Sequence, residues 1–274
     1  MRPSSYARLR LAARAEALAF WLETSLRTLA GLVVLPLLLI PICLVALVTV
    51  PFGVSQRWFH RWLYLVFSRT AVGLAGSRIV LNGRDRIEPG QAYVIVSNHE
   101  SNIDPFLIMH ALPELIVRFV IKRQIMSVPL FGVSLARTGN VTVARKGAGD
   151  VQRLQRSMAA RDPAVSILFF AEGTRARDGS FREFKKGAFA TAIEVGLPVL
   201  PVGLAGAFWA DPPDTPILRR GVVALEIGEP IPVKGLRGNE RSALRDQAHE
   251  AVGALRAKAR ARVRAEGGIP GGKD

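Results

Sequence analysis

His99 and Asp104 have the strongest claim to chemistry in this chain. They lie in V-I-V-S-N-H-E-S-N-I-D-P-F, residues 94–106, where an apolar run ends in a polar corner. A carboxylate on one ring nitrogen of an imidazole fixes the tautomer and leaves the other nitrogen free as a base. Five helical steps would set the two side chains about 140° apart. They meet only where His99 precedes a helix and Asp104 begins it. Asp104 suits the N-cap and Pro105 the first helical position. Taken alone, the pair also has a plainer reading: Asp104 only caps the helix and His99 is a satisfied corner residue.

A second apolar run, residues 165–170, ends in A-E-G-T-R. Gly173 allows a tight turn between Glu172 and Thr174, and the Arg175 guanidinium could hold a phosphate through a forked pair of hydrogen bonds. Arg145 follows a short strand after Gly139 and would help to neutralise a doubly charged phosphate. Lys185 and Lys186 lie just before a helix and are another possible anion site. The chain has 4 histidines and a single cysteine, Cys43. No ligand-spaced group forms from them, so no metal is expected, and an intrachain disulfide framework is excluded.

These corners need strands to deliver them. Short apolar runs predict strands at 78–81, 93–97, 118–121, 141–143, 165–170, 199–204 and 222–227. Helices are predicted at 105–112, 151–160, 186–195 and 239–266, with loops at 129–132 and 137–140. Alternation of this kind argues for an α/β sheet flanked by helices, with its site at the strand ends. The last helix is basic and carries Leu244, Ala248, Val252, Leu255, Ala259 and Val263 on one stripe.

The N-terminal segment reads differently. Residues 1–27 are basic and amphipathic, suited to a membrane surface or to a solvated lead-in helix. Residues 28–56 carry no charge, and the core at 29–50 reaches the roughly 20 apolar residues that span a bilayer. It starts too late and runs too long for a cleaved signal peptide. Pro36 and Pro41 inside it, with basic residues on both flanks, predict a bent, re-entrant pair of helices with both ends on the cytoplasmic face, in preference to a single span. Trp58, Phe59, Trp62, Tyr64 and Phe67 among arginines predict an interfacial stretch. The expected divisions are a membrane-associated segment at 1–76, a catalytic domain at 77–235, and a basic C-terminal helix with a flexible tail at 236–274. The net charge of +15 asks for a polyanionic partner, either an anionic membrane surface or nucleic acid.

In order, the chain carries N-H-E-S-N-I-D, G-N-V-T-V-A-R, F-A-E-G-T-R and G-L-P-V-L-P-V. Together these four blocks resemble the glycerolipid acyltransferases, specifically the bacterial lysophosphatidate acyltransferases, over about residues 97–202. The resemblance implies an α/β acyltransferase domain beside an N-terminal membrane-embedded helical element. It implies transfer of an acyl chain from acyl-CoA or acyl-carrier protein to the sn-2 hydroxyl of 1-acyl-sn-glycerol 3-phosphate, giving phosphatidic acid. Lyso-ornithine lipid is an alternative acceptor. His99 becomes the base and Asp104 its orienting partner, while Arg145, Gly173, Thr174 and Arg175 bind the acceptor, and Glu172 either binds its glycerol or orients an arginine. No cofactor is implied beyond the acyl donor, and the expected place is the cytoplasmic side of the inner membrane, without nucleic acid. One departure is Ala171, where the family usually has proline. Two other classes compete with this reading. Residues 132–136, G-V-S-L-A, come close to a serine-hydrolase elbow, but a loop precedes them instead of a buried strand. The charge permits a membrane-anchored nucleic-acid-binding protein, but no recognition motif for one is present.

Overall fold

A computed structural model describes residues 5–52, 56–122, 127–138, 140–143 and 164–267. Its centre is β2 (Val94–Ser97), flanked by β5 (Val165–Phe170) and β6 (Val199–Ala205), both parallel to it. Together with β1 (Ser77–Asn82), β3 (Ile116–Lys122), β4 (Val141–Val143) and β7 (Gly221–Ile227) they form a sheet of order β1-β7-β6-β2-β5-β3-β4. The β6–β7 pair is antiparallel; the other pairings between these strands are parallel.

A central strand buried on both faces reads as a continuous apolar run, because alternate side chains enter different cores. Ile95 enters one with Val72, Leu107, Leu112 and Leu200. Val94 and Val96 enter the other with Ile167, Phe189 and Val252. The first face is covered by α2 (Leu65–Ala75) and α3 (Asp104–Ala111), and the second by α5 (Gly187–Val195) and α7 (Arg241–Ala265). The predicted apolar stripe of α7 is buried throughout. A four-residue helix, α6 (Ala207–Ala210), follows β6.

Two expectations are corrected. Residues 29–50 do not divide into a pair of helices. All but Val50 lie within α1 (Ser5–Thr49), one continuous helix that holds both Pro36 and Pro41. At 45 residues it is about 67 Å long, more than twice the hydrocarbon core of a bilayer. The chain reverses after Thr49, and α2 packs back against α1. Arg27 of α1 donates to the Leu74 carbonyl at 3.1 Å, and Thr28 Oγ1 accepts the Leu218 amide at 3.0 Å. Many leucines on the outer face of α1 remain exposed, among them Leu18, Leu29 and Leu37. The aromatic stretch also divides: Trp58 and Trp62 face outward, whereas Phe59 and Phe67 are buried. A further short helix, α4 (Phe131–Arg137), takes in part of both expected loops, Phe131 and Gly132 of the first and Arg137 of the second. The predicted helix at 151–160 lies outside the described residues.

Candidate active site

Register places the two corners side by side. Ser97 at the end of β2 pairs with Phe170 at the end of β5, so both strands open on the same edge. Ligand sites in parallel sheets form at such carboxyl ends. The corners are stitched by backbone: Ala171 N–H donates to Ser97 O at 3.3 Å, and Ala176 N–H to His99 O at 3.2 Å. The His99 ring stacks on Phe170 with centroids 3.9 Å apart.

His99 Nδ1 and Asp104 Oδ2 are 2.7 Å apart. Asp104 is fully buried, while the His99 side chain keeps 18% exposure, so the imidazole is the member of the pair that reaches the surface. The same Oδ2 accepts the main-chain N–H groups of Glu100 at 2.6 Å and Ser101 at 2.9 Å. Asp104 is thus not the N-cap of α3. Ile103 holds that place, Asp104 is the first helical residue, and its carboxylate turns back onto the corner. An acceptor at Nδ1 makes that nitrogen the N–H and leaves Nε2 with the lone pair.

Three further side chains fix the corner. The Asn98 amide pairs with both main-chain groups of Leu204, each at 2.9 Å, and so extends the β2–β6 pairing past its end. Asp211 Oδ2 accepts Ser101 Oγ–H at 2.6 Å and Asn102 N–H at 3.0 Å. Glu172 Oε1 accepts the His99 main-chain N–H at 3.1 Å, a role the sequence left open between binding glycerol and orienting an arginine. Asn98 adjoins the predicted base and could have been flagged from that. Nothing local marks Asp211.

The second corner turns at Gly173, whose φ of 74° is left-handed. A side chain there would collide with that of Lys185, which lies over the turn. Thr174 is half-buried, and Lys186 is exposed just before α5. Arg175 is half-buried. Its Nη2 lies 3.8 Å from Asp214, and its Nη1 is buried with no hydrogen-bond partner among the described residues. Gly139 and Arg145 lie outside the described residues. Ser134, the residue of the hydrolase reading, is buried within α4, with its hydroxyl 2.8 Å from Phe131 O and 3.1 Å from Cys43 Sγ. That is a helix-packing position, not a strand-to-helix elbow.

Burial pushes Glu100 up to about 7, opposed by Arg256 and reinforced by Asp104. Burial likewise pushes Glu172 up to about 7, opposed by the His99 N–H and by Arg256. Each carboxyl therefore binds its proton more tightly in the folded chain than its ordinary value of 4.5 allows. That contribution to stability is complete below pH 4.5 and is lost as pH rises through about 7. The thermal midpoint of detergent-solubilised protein should fall by about 5 °C as a mildly acidic buffer is replaced by a mildly alkaline one. Glu172→Gln should flatten that fall. Equal slopes for the two proteins would refute the assignment.

This is an α/β domain whose strand ends present a carboxylate-held imidazole beside a Glu-Gly-Thr-Arg turn. Residues 78–205 match the Acyltransferase family model. The chain is 28% identical over 185 residues to bovine 1-acyl-sn-glycerol-3-phosphate acyltransferase alpha, covering 65% of this chain and 63% of the relative. It is 30% identical over 183 residues to chloroplastic LPAT1, a 1-acyl-sn-glycerol-3-phosphate acyltransferase of Arabidopsis thaliana, covering 66% and 51%. The match thus spans less than two thirds of either curated relative. The fold is that of the 1-acyl-sn-glycerophosphate acyltransferase PlsC of Thermotoga maritima, with a TM-score of 0.69 at 23% identity, over 86% of this chain and 97% of that one.

Proposed function

We propose that this protein transfers an acyl chain from a thioester, acyl-CoA or acyl-carrier protein, to the sn-2 hydroxyl of 1-acyl-sn-glycerol 3-phosphate, giving phosphatidic acid. The observation that carries the reading is the 2.7 Å His99–Asp104 contact at a strand end, with Nε2 left free. The acceptor hydroxyl gives its proton to Nε2 as its oxygen attacks the thioester carbonyl. The tetrahedral intermediate then breaks its C–S bond, and the imidazolium returns the proton to the leaving thiolate. Acceptor and donor meet in one complex, and no acyl-enzyme forms.

Arg175 holds the acceptor phosphate, a reading supported by its half-buried guanidinium, whose Nη1 has no hydrogen-bond partner among the described residues. Arg145 is assigned the same duty by its place in the second block. Glu172 acts on the base through the His99 main chain, and Lys185 and Lys186 are left to the thioester's phosphates or to the membrane surface. The chemistry as written needs no metal and no cofactor. The exposed apolar face of α1 supports a seat on the membrane. The enzyme works on the cytoplasmic side of the inner membrane, where lysolipid diffuses into the site. The positive charge serves the anionic lipid surface and not nucleic acid.

The test is purified full-length protein in mixed micelles, offered a panel of lysolipids with each donor and scored by acceptor-dependent thiol release. Lysophosphatidate should give the fastest release. Release driven best by lyso-ornithine lipid would move the acceptor assignment, and release that ignores the acceptor would end the acyltransferase reading.

A further inference from the structure

Arg256 belongs to none of the four sequence blocks. It sits on α7, four residues after Val252 and on the same buried stripe, and is 7% exposed. Its position is set by close packing. Gly203 of β6 meets the α7 backbone at Leu255 and Arg256, and any Cβ there would collide with it.

From that position the guanidinium divides its donors between the two corners. Nε donates to Glu100 Oε1 at 3.2 Å, and Glu100 is the residue after His99. The same oxygen lies 3.5 Å from the Asn98 amide nitrogen on the other side of His99. Nη2 donates to Gly179 O at 2.5 Å, in the loop that begins at Glu172 and carries Arg175. The guanidinium also lies 5.8 Å from the ring centre of Phe181 in that loop, and Arg260 Nη2 donates to Gly179 O as well, at 3.2 Å. Lysine presents a single charged point on a flexible stem, whereas a planar fork holds two acceptors in fixed directions.

We propose that Arg256 is a positioning residue: by bracing the His99 corner and the Arg175 loop against one rigid helix, it sets the distance between the base and the acceptor's phosphate. This rests on the reading that the lysolipid hydroxyl faces His99 while its phosphate is held at Arg175. An acceptor gripped at its phosphate is useful only when its hydroxyl then falls within reach of the base. A displacement of about 1 Å between the two anchor points is enough to cost about 10²-fold in rate. Burial raises both Glu100 and Glu172, and Arg256 opposes both shifts, so its charge is felt at each corner.

The test compares two acceptors under one donor: lysophosphatidate and its phosphate-free analogue, 1-acylglycerol. Full-length wild type, Arg256→Lys, Arg256→Met and the double variant Glu100→Gln/Arg256→Met are measured in the same micelles, with thermal midpoints in parallel. Arg256→Met should lose about 10²-fold in kcat/KM on lysophosphatidate, with the loss in kcat. Its preference for the phosphate-bearing acceptor should fall at least about tenfold, because phosphate binding no longer delivers the hydroxyl to the base. Arg256→Lys should recover only part of this. The double variant removes the buried carboxyl group left without its partner and should regain thermal stability without regaining the preference. A purely structural arginine would instead depress both acceptors equally and recover with the midpoint. Retention of the wild-type preference by Arg256→Met, or its return in the double variant, would overturn the proposal. A wild type that does not favour the phosphate-bearing acceptor overturns the functional reading and this proposal with it.

Discussion

Replacing His99 with alanine should cut acyl transfer by about 10²–10⁴-fold, to the floor of a thiol-release assay, with the fold intact. The loss follows from the proton. An sn-2 alcohol is a poor nucleophile until its proton has somewhere to go, and Nε2 of His99 is the base the strand-end geometry leaves free. Survival of the fold follows from the partners that alanine leaves in place. The His99 main chain still donates to Glu172 and still accepts from Ala176. Asp104 keeps two main-chain donors, Glu100 and Ser101, so its buried carboxylate is not orphaned. The ring packs on Phe170 at the edge of the core, and its loss should lower the thermal midpoint by only a few degrees. Turnover within tenfold of wild type would remove His99 from the role of base.

The parts of the site that are legible in the sequence are those whose partners lie close along the chain. His99 and Asp104 are five positions apart, and the apolar run before them can only be a buried strand. The Glu172 block announces itself in the same way. What the sequence hides is long-range. Arg256 lies 156 residues from Glu100, so it looks like one more cation on a basic helix, although it breaks the apolar stripe. Asp211 reaches Ser101 across 110 residues. The apolar N-terminal segment misleads for a different reason. Pro36 and Pro41 each remove one helix hydrogen bond, and that loss argues for a break. In the lipid proposed for this segment, a break would expose still more backbone groups without water to satisfy them. The helix continues through both prolines, and both lie on its exposed side. The aromatic stretch divides because composition cannot separate Trp58, which faces outward, from its neighbour Phe59, which is core.

Asp104 gives the more discriminating experiment, because one oxygen receives all three donors. Oδ2 takes His99 Nδ1–H and the Glu100 and Ser101 N–H groups, while Oδ1 is buried with no hydrogen-bond partner among the described residues. Asparagine can put its carbonyl oxygen where Oδ2 stands and keep every one of these bonds. The tautomer and ring orientation should therefore survive Asp104→Asn, and only the negative charge is lost. That charge faces the imidazolium that forms as the hydroxyl proton transfers. For unit charges about 4 Å apart at an effective dielectric of 20 it is worth about 4 kcal/mol, or about 10³-fold in kcat. KM for lysophosphatidate should barely move, since the phosphate is held elsewhere. The amide nitrogen must occupy the dry position of Oδ1, at a cost of about 1–3 kcal/mol of stability, so the thermal midpoint should fall as well. Asp104→Ala removes the orienting bond in addition to the charge and strands two buried N–H groups. It should be slower than the asparagine variant and less stable. An asparagine variant that turns over at nearly the wild-type rate would show that Asp104 only holds the corner together, and that His99 works without a charged partner.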